Sequence, residues 1–403
     1  MDNIERTSEQ RREARDALQE ALHEIKRVIV GQDAMLERLL VSLLAGGHAL
    51  LEGVPGLAKT LTVKTLAAVL GGSYNRIQFT PDLVPADLVG TRVYRPDTAR
   101  FDTELGPVFC NFLLADEINR APAKVQSALL EVMQEQQVTI GGTTHLVPLP
   151  FIVMATQNPI ESEGTYPLPE AQVDRFLMKI VVDYPDMGEE AAVVGRSLLE
   201  PAAVRERLSL DDLRRYAAAT HTVAVDRQVI GYAVALADAT RHPGKYGLGD
   251  VEPMIEFGAS PRGPIGLVQA GRVLALLRGR GHVLPDDVRD LAPDLLRHRI
   301  VLSYDALSEG VTPDQLLERV LAAVPEPPLV SSGRLRRHPW GRIPRPVPCG
   351  DPPGRDARRN GVAAAARSAS VPRFTRRPRR HPEDAAPQAR PSNCGLVRAR
   401  VLR

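Results

Sequence analysis

The sequence predicts an α/β protein: a parallel sheet covered by helices, followed by an all-helical domain and a disordered C-terminal tail. Three observations carry that expectation. From Val28 to about residue 187, short apolar runs ending in turns alternate with helical patterns, and such alternation implies a parallel sheet covered on both faces. Strand signals stop around Tyr184-Pro185-Asp186, and residues 189–324 become a succession of helical patterns. Composition then shifts, with 18 Arg, no Lys, 4 acidic residues and 11 of the 34 prolines falling in residues 331–403.

The expected organisation is an N-terminal packing helix over 1–27, an α/β domain over 28–187, a helical domain over 188–325 and the tail over 326–403. Ala14, Leu18, Leu22 and Ile25 recur at three- and four-residue spacing among charges, the signature of an amphipathic helix laid on a larger body. His48–Leu51, Tyr74–Phe79, Asn111–Ala115 and Phe151–Ala155 read as strands, with helices beginning near Lys59, Pro122 and Glu170. Further on, Asp211–Ala219, Gln228–Thr240, Ile265–Gly279 and Asp286–Arg297 read as helices. Val93–Thr103, turning at Arg95-Pro96-Asp97, and Gln136–Leu149, turning at Gly141-Gly142, read as hairpins.

Charge and cysteine usage narrow the class. The tail carries a net charge of +14, whereas the 33 basic and 45 acidic residues upstream give −12. With almost no aliphatic periodicity, the tail cannot bury enough apolar surface to offset the entropy of ordering. Its arginines would suit an arm for phosphates or acidic surfaces, but no nucleic-acid-binding motif accompanies them, and the composition favours GC-rich DNA translated out of frame. Cys110, Cys349 and Cys394 form no C-x-x-C pair, which argues against a disulfide framework or thiolate zinc site and for a reducing cytoplasm. Residues 1–16 are dense in charge and no apolar run is long enough to span a bilayer, so neither a signal peptide nor a membrane span is expected.

The chemistry concentrates in three strand ends. Gly53-Val54-Pro55-Gly56-Leu57-Ala58-Lys59-Thr60, continuing to Leu61, lies between an apolar strand and a helical pattern, the context a phosphate-binding loop needs. There, backbone N–H groups would face phosphates, Lys59 would reach the terminal oxygens and the Thr60 hydroxyl would ligate Mg²⁺. Ala58 replaces the last glycine of the pattern, and its methyl is expected to require a negative φ. Asn111-Phe-Leu-Leu-Ala-Asp116-Glu117 then places two carboxylates at a strand end 57 residues after Lys59. Asp116 suits the Mg²⁺ shell, and Glu117 suits the activation of a water. A third strand ends in Gln157-Asn158, whose amide could hold that water, and the run continues to Asp174-Arg175-Phe176 and to Arg262 in the helical region.

Taken in that order, these features resemble the AAA+ ATPases, and the finer motifs resemble the MoxR family over roughly residues 10–325. The motifs are Val28-Ile-Val30-Gly31-Gln32, the loop with Ala58, Phe79-Thr-Pro-Asp-Leu-Val-Pro-Ala-Asp-Leu-Val-Gly90, Ala115-Asp-Glu-Ile-Asn-Arg-Ala-Pro-Ala-Lys124, Ala155-Thr-Gln-Asn-Pro159, Tyr166-Pro-Leu-Pro-Glu-Ala-Gln-Val-Asp-Arg-Phe176 and Gly258-Ala-Ser-Pro-Arg262. The resemblance implies an AAA+ domain with a helical lid, assembled as a homo-oligomeric ring, commonly a hexamer, with ATP and Mg²⁺ between neighbouring subunits. It places Val30 and Gln32 near the adenine. It also makes Asn158 sensor 1, Arg175 an arginine finger, Arg262 sensor 2, and the two hairpins substrate-facing insertions.

The function so implied is a cytoplasmic ATPase that remodels client complexes or inserts their cofactors, alongside a partner with a von Willebrand A domain. A magnesium-chelatase-like motor subunit is the alternative within the same clade. A nucleotide-gated scaffold has no need of Glu117, and the acidic body argues against a nucleic-acid motor recruited by the basic tail.

Overall fold

The computed structural model describes residues 2–54, 56–159, 165–198, 200 and 203–328. The disordered tail expected over 326–403 lies outside the described residues from 329 onward, and so does Pro55. Two helices, α1 (Asp2–Lys26) and α2 (Asp33–Leu44), precede strand β1 (Ala49–Glu52), α3 (Lys59–Val69) and β2 (Tyr74–Gln78). A short α4 (Pro85–Val89) leads into the hairpin β3 (Gly90–Arg95) and β4 (Arg100–Leu105), then β5 (Phe112–Asp116) and α5 (Ala123–Glu135). The second hairpin, β6 (Gln137–Ile140) and β7 (Thr143–Leu146), precedes β8 (Ile152–Gln157), α6 (Glu170–Val173) and β9 (Met178–Val181). The remainder is α7 (Met187–Ser197), α8 (Leu210–Thr220), α9 (Arg227–Arg241), β10 (Ile255–Phe257), α10 (Arg262–Leu277), α11 (Pro285–Leu296), β11 (Val301–Leu302), α12 (Tyr304–Ser308) and α13 (Pro313–Ala323).

The main sheet has five parallel strands in the order β2-β5-β8-β1-β9. Its pleat sends alternate side chains to two cores. Ala49, Leu51, Phe112, Leu114, Ile152 and Met154 join α2, α3 and the helical domain in one cluster. Leu50, Leu113, Ala115, Val153 and Ala155 pack with α4 and α5 in the other. Near-continuous apolar strands are what a sheet covered on both faces requires. Helix α1 buries Ala14, Leu18, Ala21 and Ile25 and touches α3, α8 and α10, so it bridges the two domains.

Strand β9 and helix α2 are among the elements that escape sequence reading. The edge strand β9 is only four residues long, and Lys179 interrupts its buried Met178 and Ile180; pairing with β1 is what makes it a strand. Helix α2 is buried on most sides, from Met35 to Leu44 apart from Glu37, which erases the amphipathic period that reveals a surface helix. The helical domain also contains a small antiparallel ribbon, β10–β11. Both expected hairpins are present, and β3–β4 leaves Tyr94 and Phe101 about half exposed with their rings 5.2 Å apart. Among the described residues no helix is long and apolar enough to cross a membrane.

Just before β1, the His48 imidazole is fixed in its neutral form. Its Nδ1 accepts the Val153 N–H at 3.0 Å, and Nε2–H donates to the Met133 carbonyl at 3.1 Å. Burial pushes its pKa down to about 4 from 6.5, and burial likewise holds His298 well below its ordinary value. Above pH 6.5 folded and unfolded states are both neutral at His48. As pH falls from there toward 4, only the unfolded chain takes up the proton, so stability declines by about 3 kcal/mol for this one group. Urea unfolding between pH 7 and pH 4.5 should show this slope, and His48→Gln should make it shallower. An unchanged slope in the variant would mean that His48 is not a source of the acid sensitivity.

Candidate active site

Between β1 and α3 the chain turns through residues 53–60. A Cβ on Gly53 would stand 2.6 Å from the Val182 carbonyl oxygen, so only glycine fits. Gly56 has φ +90° and open space where a side chain would point, leaving the backbone of the turn accessible at the N-terminus of an 11-residue helix. Ala58 departs from the sequence expectation: it adopts φ 53°, ψ 17°, not a negative φ. The reversal into α3 demands it, because the Ala58 carbonyl must accept the Thr62 N–H at 2.8 Å. A methyl is the smallest L side chain that can bear a left-handed conformation, at a cost of about 1–2 kcal/mol. Leu57 is buried beneath the turn, Val54 and Thr60 are half-buried, and Leu61 faces outward.

Lys59 Nζ donates to the Gly53 carbonyl at 2.5 Å, bridging the two ends of the loop. Burial lowers its pKa, while the charges of Asp116, Glu117 and Glu52 pull the other way. The parallel register brings those groups to one edge. Leu51 aligns with Thr156 and Glu52 with Gln157, and Ala115 aligns with Ala155. Buried Asn158 therefore follows β8 beside Gly53, whose N–H donates to the Gln157 carbonyl at 3.3 Å. Gln32 sits on the other flank, donating its amide to the Asp183 carbonyl at 2.9 Å, two residues from half-buried Val30. Asp183 follows Val182, which hydrogen-bonds Glu52.

A hydroxyl organises the two carboxylates. Thr156 Oγ1 donates to Asp116 Oδ1 at 2.6 Å and accepts the Glu117 N–H at 2.8 Å. Glu117 takes φ 55°, which turns the chain out of β5 at this point. Strand β2 supplies partners from its same-face positions: Arg76 Nη2 lies 2.6 Å from Asp116 Oδ2, and Gln78 Nε2 lies 2.6 Å from Glu117 Oε2. Arg120 adds a bond to Glu117 at 2.9 Å. The roles of Thr156, Arg76, Gln78 and Arg120 here are not legible from their places in the sequence. Thr156 alone carries a sequence signal, a hydroxyl at the end of an otherwise apolar strand.

Among the described residues no group of three or more His, Cys, Asp or Glu side chains could hold a metal ion alone. The Thr60 hydroxyl and Asp116 carboxylate are hard oxygen donors, and such a sparse set fits Mg²⁺, which keeps most of its shell for water and phosphate.

Arg175 and Arg262 stand at the other end of the sheet. They line a cavity of about 210 Å³ together with Ala45–His48, Asp174, Phe176, Leu177 and Arg299. Ala45–His48 precede β1 and Phe176-Leu177 precede β9, so the cavity opens at the N-terminal strand edge. The 53–60 loop leaves the C-terminal edge, and four strand residues between the two span about 13 Å. Arg262 Nη1 pairs with Asp174 Oδ2 at 3.2 Å. The Arg175 guanidinium has no hydrogen bond or ion pair among the described residues. The expected site residues thus divide into a loop-and-carboxylate group and a separate pair of arginines.

The ATPase family associated with various cellular activities (AAA) matches residues 48–178, and the AAA lid domain matches residues 249–320. The chain is 56% identical to Chaperone MoxR1 of Mycobacterium tuberculosis over 77% of its own length and 82% of the relative. It is 32% identical to Protein MoxR of Methylorubrum extorquens, covering 78% of this chain and 96% of that protein. A crystal structure from Cytophaga hutchinsonii, 46% identical, superposes with a TM-score of 0.77 over 81% of this chain and 99% of the other. The chain therefore belongs to the MoxR family of AAA+ ATPases, nucleotide-binding enzymes that hydrolyse ATP.

Proposed function

We propose that the protein works as a Mg²⁺-dependent ATPase ring in which each nucleotide lies between the 53–60 loop of one subunit and the arginine cavity of the next. Turnover would drive the remodelling of client protein complexes. The observation that supports this is the separation of the two groups: the arginine side chains sit one strand length from their own loop, and the Arg175 guanidinium has no partner among the described residues. A second copy supplying the arginines resolves that separation, and head-to-tail repetition of such a contact closes a ring.

In this reading the loop N–H groups and Lys59 bind phosphates, and Gln32 and Val30 flank the adenine. Glu117 takes a proton from the attacking water, which Asn158 holds in place. Thr60 and Asp116 would hold Mg²⁺, which when bound neutralises phosphate charge. Arg175 and Arg262 of the neighbour stabilise charge on the transferred phosphoryl group. Arg76 and Gln78 hydrogen-bond the two carboxylates and so orient them toward the loop. The chaperone name of the Mycobacterium relative supports a client-directed role, and the exposed Tyr94–Phe101 pair offers apolar surface for a polypeptide. A von Willebrand A partner and a cytoplasmic setting belong to the same proposal by family resemblance.

Lys59→Ala should abolish ATP binding in calorimetry while thermal unfolding stays near wild type; retained tight binding would remove the loop from the site. Glu117→Gln preserves size and hydrogen bonding, so ATP binding should persist while kcat falls by about 10²–10⁴. Wild-type turnover in that variant would assign water activation elsewhere. Thr156→Val leaves a carboxylate and an N–H without their shared partner, a loss of about 1–3 kcal/mol, and should lower kcat at least tenfold. Unchanged kcat would show that the hydroxyl does not align the two carboxylates. Arg175→Ala should bind ATP but hydrolyse it about 10³-fold more slowly. Co-expression with Lys59→Ala should restore activity; mixed rings without recovery, where other dead subunits are tolerated, would exclude action on a neighbour.

A further inference from the structure

The buried guanidinium of Arg299 is absent from the residues expected to carry the chemistry, yet every one of its donors is committed. Its Nε donates to Asp174 Oδ1 at 2.8 Å. Nη2 reaches the carbonyls of Phe176 at 2.8 Å and Asp174 at 3.4 Å, and Nη1 reaches Leu177 at 3.2 Å and also Leu295. Five N–H groups thus meet five acceptors, and a lysine, with three donors on one nitrogen, could not satisfy them. Four of the five acceptors belong to residues 174, 176 and 177, the segment that carries Arg175. The fifth lies near the end of α11 in the helical domain.

Asp174 extends this network to the second arginine. Its carboxylate accepts from Ser260 Oγ at 3.1 and 3.3 Å and from Arg262 Nη1 at 3.2 Å, while Arg299 holds its other side. Asp174, the residue preceding Arg175, is thus tied directly to Arg262, the first residue of α10. The Arg299 side chain is 3% exposed and that of Arg262 is 53% exposed, so the inner arginine is a fixed strut and the outer one faces the cavity. With three arginines and one aspartate the cavity keeps an excess of two positive charges, which suits a phosphate chain of another subunit.

We propose that Asp174 and Arg299 are positioning residues that set the spacing and direction of Arg175 and Arg262 toward a neighbouring subunit's nucleotide. The inference rests on the proposed ring reading and adds to it the residues that aim the arginines. A tie between domains that served stability alone would not favour the catalytic arginines. A strut under both should affect turnover in the neighbour's pocket while leaving its own subunit's pocket intact.

The test uses Asp174→Asn in the full chain, with ATP affinity, kcat and thermal unfolding measured together. ATP affinity should stay within about twofold of wild type, because the loop lies at the opposite strand edge, while kcat falls by about 10²-fold through misplacement of the arginines. Mixed with Lys59→Ala, which keeps its arginines, the variant should regain activity. Ser260→Ala, which removes one hydroxyl from the same carboxylate, tests the idea if Asp174→Asn does not fold, and should lower kcat about threefold at unchanged ATP affinity. ATP affinity and kcat lost together, or unchanged kcat in a folded variant, would overturn the proposal. A parallel mixture of Arg175→Ala with Lys59→Ala separates the two levels. Recovery there without recovery for Asp174→Asn overturns the positioning role alone. Failure of both, in rings shown to be mixed, overturns the ring reading with it.

Discussion

The polarity of the parallel sheet is the constraint on which the rest of this molecule depends. Every strand of the β2-β5-β8-β1-β9 sheet points the same way, so whatever follows a strand gathers at one edge and whatever precedes it gathers at the other. The loop after β1, the carboxylates ending β5 and the amide after β8 meet at the first edge. Residues before β1 and β9 meet the start of α10 at the second. Open α/β sheets bind ligands at the carboxyl edge, and the opposite edge is free to serve another copy. On our reading an assembled ring follows from this polarity, because the two halves of the chemistry are built at opposite ends of one subunit.

The helical domain is joined to the sheet by more than a linker. Its apolar core is continuous with one face of the sheet, and α1 packs on both. Two charged networks add specific fixings. Arg38 on α2 pairs with Asp290 and Asp294 of α11 at 2.7 and 2.8 Å, and Asp174 pairs with Arg262 and Arg299 at the cavity. Arg38 and Arg299 are both almost fully buried. Removing one partner from such a pair leaves a desolvated charge, which is strongly destabilising even where the intact pair adds little net stability. These networks therefore depend on every partner staying in place.

Much of the fold was legible in the sequence. Strands buried on both faces write themselves as apolar runs, and Gly53, Lys59, Asp116 and Glu117 have residue types that few other environments explain. The positions that stayed hidden depend on pairing between distant segments. Strand β9 needs β1 beside it, and α2 is too thoroughly buried to show a period. Thr156 gains its role only because the register sets it against Asp116 and Glu117, and Arg76 and Gln78 only because β2 lies next to β5. Arg299 looks in sequence like one more basic residue in Arg297-His298-Arg299. Ala58 shows the reverse error, since the turn's geometry overrode the usual preference of an L residue against positive φ.

On our reading one nucleotide is completed by two subunits, and a structure of the Glu117→Gln ring with ATP and Mg²⁺ bound would show this without intermediaries. A triphosphate is expected on the 53–60 loop, with Arg175 and Arg262 from the adjoining subunit at hydrogen-bonding distance from its terminal phosphate. A terminal phosphate contacted by the arginines of its own subunit, or by neither arginine, would contradict it.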